Sequence, residues 1–330
     1  MEKSLFLPFD ASPALESDYR AAYLYAIVSG NIGEHYLPWI SEKYINCSFN
    51  PETEDQKFSI SVWDNPSSRK GLMQYQLIDL KKEVFSDFHP DPVAFFKTVL
   101  SLGVYINFEF RWKYLPSHIQ NATGEQLQEG VVIGYDDCKQ SFVVKRSDPA
   151  CRLLTYELAY RNLEGALYDT TGPQIKLHFW FYRPETVPKT DLSAVVRYLQ
   201  DYIHSRHSRV RNPVGLPYGF CAIEALINDC RQCMERGELP NTQYLRSFAE
   251  HKYFMYLRMQ NFASQQIVPE KAAFSAQKVH LLANCTRNQP ELGTLPEVFA
   301  AMTETLAIER EYLPAAVESI QAFQQSNAPR

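Results

Sequence analysis

The side chains most able to do chemistry in this sequence fall into a few short groups. Asp136 and Asp137 stand together at the end of GVVIGYDD. Paired carboxylates suit cation binding or acid and base work, yet adjacent residues at a strand end point to opposite faces and rarely converge. Asp also stabilises hairpin loops through side-chain to backbone hydrogen bonds, which is the simpler reading, and metal binding is unsupported. Glu250, His251 and Lys252 form a second polar group inside LRSFAEHKYFMYLRM. Successive helical residues are about 100° apart, so at most two of the three share a face. They make either a satisfied network at the helix surface or between domains, or a pocket into which Glu250 or His251 points. Cys230 and Cys233 form a CxxC without a second CxxC or a nearby His pair, which reads as two cysteines on adjacent helix turns rather than as a zinc or redox site. HSRHSRVR, residues 204–211, reads as a solvated loop, with contact to an anionic ligand as its alternative.

The elements that must position these residues change character along the chain. Tyr19, Ala22, Tyr23, Ala26 and Ile27 recur at helical spacing, with Ser17 as N-cap and Gly30 as stop. Phe58 to Trp63 alternates as a half-buried strand does. Asp91 and Pro92 open a helix that carries Val93, Phe96 and Leu100 on one face and ends at Gly103. Val104 to Trp112 then sets Ile106, Phe108, Phe110 and Trp112 against Tyr105, Asn107, Glu109 and Arg111. Runs at 131–135 and 141–145 flank a polar turn and read as a hairpin; 155–167 returns to helical spacing, and 175–182 alternates again. Beyond Pro184 only helical patterns occur, at 192–203, 218–236, 241–263, 269–284 and 295–324, the last opened by Thr294 and Glu297 at capping-box spacing.

With 330 residues and 45% apolar content, the chain is long enough for two domains with sizeable cores. Interleaved helices and hairpins predict an α+β domain over 1–185 and a helical domain over 186–330. No run approaches the roughly 18 to 20 apolar residues of a membrane helix, and the start has prolines and an acidic residue where a signal peptide is basic and then apolar. A cytoplasmic location is expected, with no membrane. Seven scattered cysteines are unlike a secreted disulfide framework, so reduced thiols are expected. A net charge of −5 with interspersed Lys and Arg indicates no nucleic-acid partner.

LGVYINFEFRWKYLP, then EGVVIGYDDCKQSFVV, then LTYELAYRNLEGAL, resembles a C39-peptidase-like group that includes the butirosin-biosynthesis-H-type proteins of bacterial natural-product and antibiotic biosynthesis clusters. PWISEKYINCSF and FAEHKYFMYLRM extend the resemblance more weakly to most of the chain. GYDD is short; its order with the flanking strand and helix carries the match.

The resemblance implies a papain-like, cysteine-peptidase-like domain with an antiparallel sheet. It also implies a nucleophilic Cys on the first helix, a His at the strand leading into GYD and an Asp or Asn ending the next strand. In such a triad the imidazole deprotonates the thiol and the acid holds the imidazole, so losing one member cripples the unit. This chain has no Cys in DYRAAYLYAIVSG, Gln128 at the His position, and Lys145 and Arg146 where the acid is expected. Cys47, His118 and Asp148 are the available substitutes, with Asp136 as a further weak catalytic candidate. The surviving cleft is expected between the first helix and the hairpin, walled by Gln128 with Tyr135 or Asp136 nearby, and Glu250 and His251 join the substrate-binding candidates. By analogy with that group, the chain is expected to be a non-peptidase protein that holds or modifies a peptide or acyl intermediate, with acyl transfer as its implied chemistry. The implied partners are a small-molecule or carrier-bound intermediate and an acyl or peptidyl carrier protein, with no cofactor. The alternative is a catalytically inert scaffold subunit that recruits biosynthetic enzymes.

Overall fold

A computed structural model describes residues 3–10, 15, 19–33, 44–52, 57–60, 73–115, 125–147, 152–183, 190–206, 215–268 and 295–327. The fold is α+β, and the chain divides into two compact units, Met1–Glu34 with Asn65–Val187 and His35–Asp64 with Pro188–Arg330. None of the described helices is long and apolar enough to cross a membrane.

The first unit is built on a seven-stranded sheet whose described pairings are all antiparallel. In chain order it contains β1 (Ser4–Phe6), α1 (Tyr19–Ile32), β4 (Met73–Lys81), α2 (Lys82–Phe88), α3 (Pro92–Ser101), β5 (Val104–Arg111), β6 (Leu127–Asp136), β7 (Ser141–Ser147), β8 (Leu153–Ala159), α4 (Tyr160–Tyr168) and β9 (Gln174–Tyr182). The strands lie in the order β4-β9-β5-β6-β7-β8, and β1 pairs with β6 beyond the end of β5, Leu5 opposite Tyr135.

Alternation in β5 is the organising signal. Ile106, Phe108 and Phe110 join Phe96, Phe142, Val144, Leu158 and Leu163 in one core, each buried aromatic or aliphatic contributing about 1.5–3 kcal/mol of transfer free energy. Phe96 meets Phe108 and Phe142 edge-on, both at 5.6 Å between centroids. Tyr105 and Asn107, on the other face, are buried too, so the first half of this strand is covered on both faces, while Glu109 beyond them is exposed. The helix before it starts as its sequence requires: Asp91 accepts from Ala94 N at 2.9 Å, Pro92 fills the first position, and Gly103 takes a positive φ of 76° just past the end.

Two elements differ from expectation. The spacing predicts a helix over 155–167, but Leu153–Ala159 is strand β8 and only Tyr160–Tyr168 is helix. Tyr156 and Leu158 bury while Thr155 and Glu157 are exposed, a period-2 pattern masked by the apolar residues of the helix after it. Gly30 reads as the stop of the first helix, but α1 runs through it to Ile32. The missing side chain serves a close approach instead: a Cβ at Gly30 would lie 2.7 Å from both Phe9 Cα and Phe9 N.

The second unit holds β2 (Cys47–Phe49), β3 (Phe58–Ile60), α5 (Leu192–Ile203), α6 (Gly219–Glu235), α7 (Thr242–Ser264) and α8 (Leu295–Ser326). The described residues after 190 are helical apart from connections and one bridge at Tyr218. The predicted helix at 269–284 and the capping residue Thr294 lie outside the described residues. Division at 185 would give 35–64 to the sheet unit, yet the β2–β3 hairpin belongs with the helices. Ile45, Cys47, Phe49 and Phe58 pack into the helical core, and Phe49 N donates to Pro217 O at 3.1 Å. Three-residue strands carry too little alternation to reveal such a partner.

Gly30 yields a prediction with an unusual sign. Gly→Ala inside a helix normally stabilises by up to about 1 kcal/mol. Here the added methyl meets rigid backbone, so Gly30→Ala should destabilise by roughly 1–3 kcal/mol, read as a lower urea midpoint. An unchanged or raised midpoint would mean that the 9–10 segment is not held against α1.

Candidate functional site

Strand β6 carries three of the expected site residues but does not gather them. Gln128 stands near its start and Tyr135 and Asp136 at its end, roughly 25 Å apart at the rise of a β-strand. Asp136 performs turn chemistry: its Oδ1 accepts from Cys138 N at 2.9 Å and Lys139 N at 3.3 Å. The Tyr135 ring lies 5.3 Å from Lys97 Nζ. Asp137 takes the ion pair with Lys97 and accepts from Tyr160 OH at 2.8 Å. The Lys97 ammonium holds its carboxyl below the usual carboxylate range. No spacing rule connects Lys97 with Asp137, since the pair forms only once α3 lies across the hairpin.

The Gln128 end of the sheet is chemically denser. Gln128 is the cross-strand partner of Phe110, and Val131 is that of Lys145 on β7. Arg146, the next residue along β7, is fully buried. Its Nη2 donates to Phe110 O at 3.0 Å, two strands away, and its guanidinium carbon lies 3.9 Å from the Trp112 ring centroid and 4.5 Å from that of Phe110. Neighbouring strands are about 4.8 Å apart, so this side chain must cross β6 to reach β5. Gly130 on β6 leaves room for the neighbouring side chains of this face: a Cβ there would lie 2.9 Å from Phe110 Cε1 and 3.0 Å from Val144 Cγ1. Among the described residues, Arg146 Nε and Nη1 and Trp112 Nε1 are buried without an acceptor. Burial lowers the guanidinium's pKa to about 9, so it remains charged at neutral pH. One residue along each strand, the Tyr23 hydroxyl from α1 donates to Glu129 O at 3.1 Å and accepts from Ser147 N at 3.2 Å, which ties α1 to this end of the sheet.

Cys47, Glu250 and His251 lie in the other unit, inside the helical core. Cys47 is buried; its thiol donates to Gly219 O at 3.6 Å, and burial pushes its pKa up to about 12. It is a neutral hydrogen-bond donor in this setting, because the thiolate is the nucleophilic form. His251 Nε2–H donates to Ile45 O at 2.8 Å while Nδ1 has no partner among the described residues, and burial depresses the imidazole pKa well below its ordinary value. Lys252, beside it, donates to Glu309 Oε2 at 2.5 Å and to Tyr202 OH at 2.7 Å, and Tyr202 OH donates to the same carboxylate oxygen at 2.7 Å. Glu250, His251 and Lys252 are all buried. Helical geometry limits two of them to a face, but α7 is covered all round at this level. His118 and Asp148 lie outside the described residues.

A surface groove of about 660 Å³ runs between α6 and α8, with Ile227 and Leu306 on its floor and Glu224, Arg231, Arg310 and Glu311 around it. Its charges balance, and Arg310 is paired with Glu224 at 2.5 Å. Among the described residues, no three His, Cys, Asp or Glu side chains group as a metal site would need. No protein-family model matches the chain, and no curated protein matches it.

The sealed imidazole gives a pH signature. An unfolded His takes up a proton near pH 6.5, whereas folded His251 resists it. The unfolded chain therefore binds more protons below pH 6.5, and stability falls with pH there, approaching about 1.4 kcal/mol per pH unit for one site. Urea midpoints between pH 7 and 5 should drop for wild type and stay flatter for His251→Gln, whose amide can still donate to Ile45 O. Equal slopes in both proteins would show that His251 protonates freely in the fold.

Proposed function

We propose that the sheet unit is a papain-like, cysteine-peptidase-like fold without thiol chemistry, and that it holds a peptide or acyl intermediate of bacterial natural-product biosynthesis non-covalently. The observation that carries this reading is the pair of side chains at the Gln128 end of the sheet. Where the resemblance implies a base and an acid, the chain has a neutral amide and a buried guanidinium. An amide donates and accepts hydrogen bonds but removes no proton near pH 7, and a guanidinium is a donor only. Such groups recognise and orient a ligand. The one described cysteine proposed as a stand-in nucleophile is a protonated thiol in the core of the other unit. If the intermediate arrives as a thioester, an acyl or peptidyl carrier protein is the partner that delivers it, in the cytoplasm.

Incubation of the full chain with acyl N-acetylcysteamine thioesters, then intact-mass analysis, tests the reading. The expected result is no adduct on any of the seven cysteines, with saturable binding by calorimetric titration. Gln128→Ala should weaken that binding by roughly three- to tenfold, the scale of one hydrogen bond, with little change in melting temperature. A stable acyl adduct would restore covalent catalysis and end the proposal. Absence of both adduct and binding would favour a scaffold that recruits enzymes.

A further inference from the structure

Burying a charge without a counter-charge costs several kcal/mol, so folded proteins pair, hydrogen-bond or neutralise such groups. Lys252 obeys this rule, enclosed with the Glu309 carboxylate and the Tyr202 hydroxyl. Lys145 has Thr155 Oγ1 at 2.7 Å and favourable electrostatics from Asp10. Arg146 has neither: among the described residues no carboxylate pairs with it, and its Nε and Nη1 hydrogens have no acceptor. Its surroundings are nevertheless built. The faces of Trp112 and Phe110 cover the guanidinium, Gly130 makes room for the Phe110 ring that does so, and Phe110 O fixes one of its nitrogens. With the rings over its faces, the N–H edge, itself enclosed, is where an acceptor would bond.

We propose that Arg146, with Trp112 Nε1 as a second donor, is the receptor for a ligand carboxylate, so that the intermediate held by this unit carries a free acid group. This deepens the reading of the sheet unit as a non-covalent binding protein and rests on it. A carboxylate is planar and accepts two parallel N–H bonds from a guanidinium edge, which a ligand amide or ester cannot match. Trp112 Nε1 is a donor only and equally calls for an acceptor. Gln128, partly exposed and directly across from Phe110, is the neutral group placed to hydrogen-bond the remainder of the ligand.

The test uses N-acetylglycine and N-octanoylglycine, each beside its uncharged amide, and inorganic phosphate, with the full chain and two readouts, melting temperature and calorimetric titration. Wild type should be stabilised saturably by at least one of the two acids and by neither amide. Arg146→Met, which keeps much of the length and none of the charge, should abolish that response. It should melt no lower than wild type without ligand, because it removes an uncompensated buried charge. Arg146→Lys should bind at least tenfold more weakly, lacking the fork, and Trp112→Phe three- to tenfold more weakly. If Arg146→Met does not fold, Arg146 is structural and the proposal fails unless Trp112→Phe, folded as wild type, shows the expected loss. Amides that bind as well as acids, phosphate as effective as the acids, or no response to any probe would each overturn the assignment. The thioester experiment fails separately: a covalent adduct there refutes non-covalent holding, while a carboxylate response lost in Arg146→Met would still locate the anion site.

Discussion

Desolvation of charge is the constraint on which both units turn. A cation taken out of water must find an anion, several good acceptors or a lowered pKa, and the cost of failing is several kcal/mol in a fold whose net stability is of order 5–15 kcal/mol. The helical unit meets the condition internally. Lys252, Glu309 and Tyr202 come from three helices and close on one another, so α5, α7 and α8 can form this polar triad only in one mutual arrangement. Removing either charged member would leave the other buried without its counter-charge. The sheet unit meets it incompletely. Arg146 is stacked and anchored on one side, and its remaining edge has no acceptor among the described residues. The first arrangement specifies packing, and the second leaves unused recognition capacity.

Aromatic density explains how the sheet tolerates such a residue. Phe110 and Trp112 give the guanidinium two apolar faces, which a polarisable planar cation accepts better than an ammonium does. Gly130 leaves room for the Phe110 ring, and the Tyr23 hydroxyl, accepting from one strand and donating to the next, holds α1 at the same end. The opposite end of β6 is occupied otherwise, with Asp136 closing the turn and Asp137 engaged by Lys97 and Tyr160.

Much of this is legible in the sequence where one periodicity dominates. The alternation of β5, the capped start of α3 and the amphipathic run of α5 are each local signals, and local signals survive without knowledge of partners. The misreadings share another cause. Strand β8 and helix α4 are contiguous, so their periods blur, and Gly30 looks like a stop because its use depends on Phe9, far away in the chain. The site is less legible still. Cys47 and His251 look reactive by type, but reactivity belongs to the environment, and each sits in an apolar core as a hydrogen-bond donor to a backbone carbonyl. Arg146 is visible in sequence only as a departure from an expected acid; its burial, its aromatic walls and its empty N–H edge are properties of three strands assembled.

The placement of the β2–β3 hairpin has a consequence for how the chain is made. The helical unit takes its hairpin from before most of the sheet unit and its helices from after it, so its native contacts span well over a hundred residues. On a ribosome, which releases the N-terminal part first, the strands of the sheet can pair while Ile45, Cys47 and Phe49 still lack the helices that cover them. The apolar side of that hairpin must therefore wait through the synthesis of 65–187 before its partners emerge, a window in which it is available to chaperones. No single cut separates the two units either: a fragment beginning at 188 would retain His251 and α6 while losing the carbonyl and the strand that they pack against.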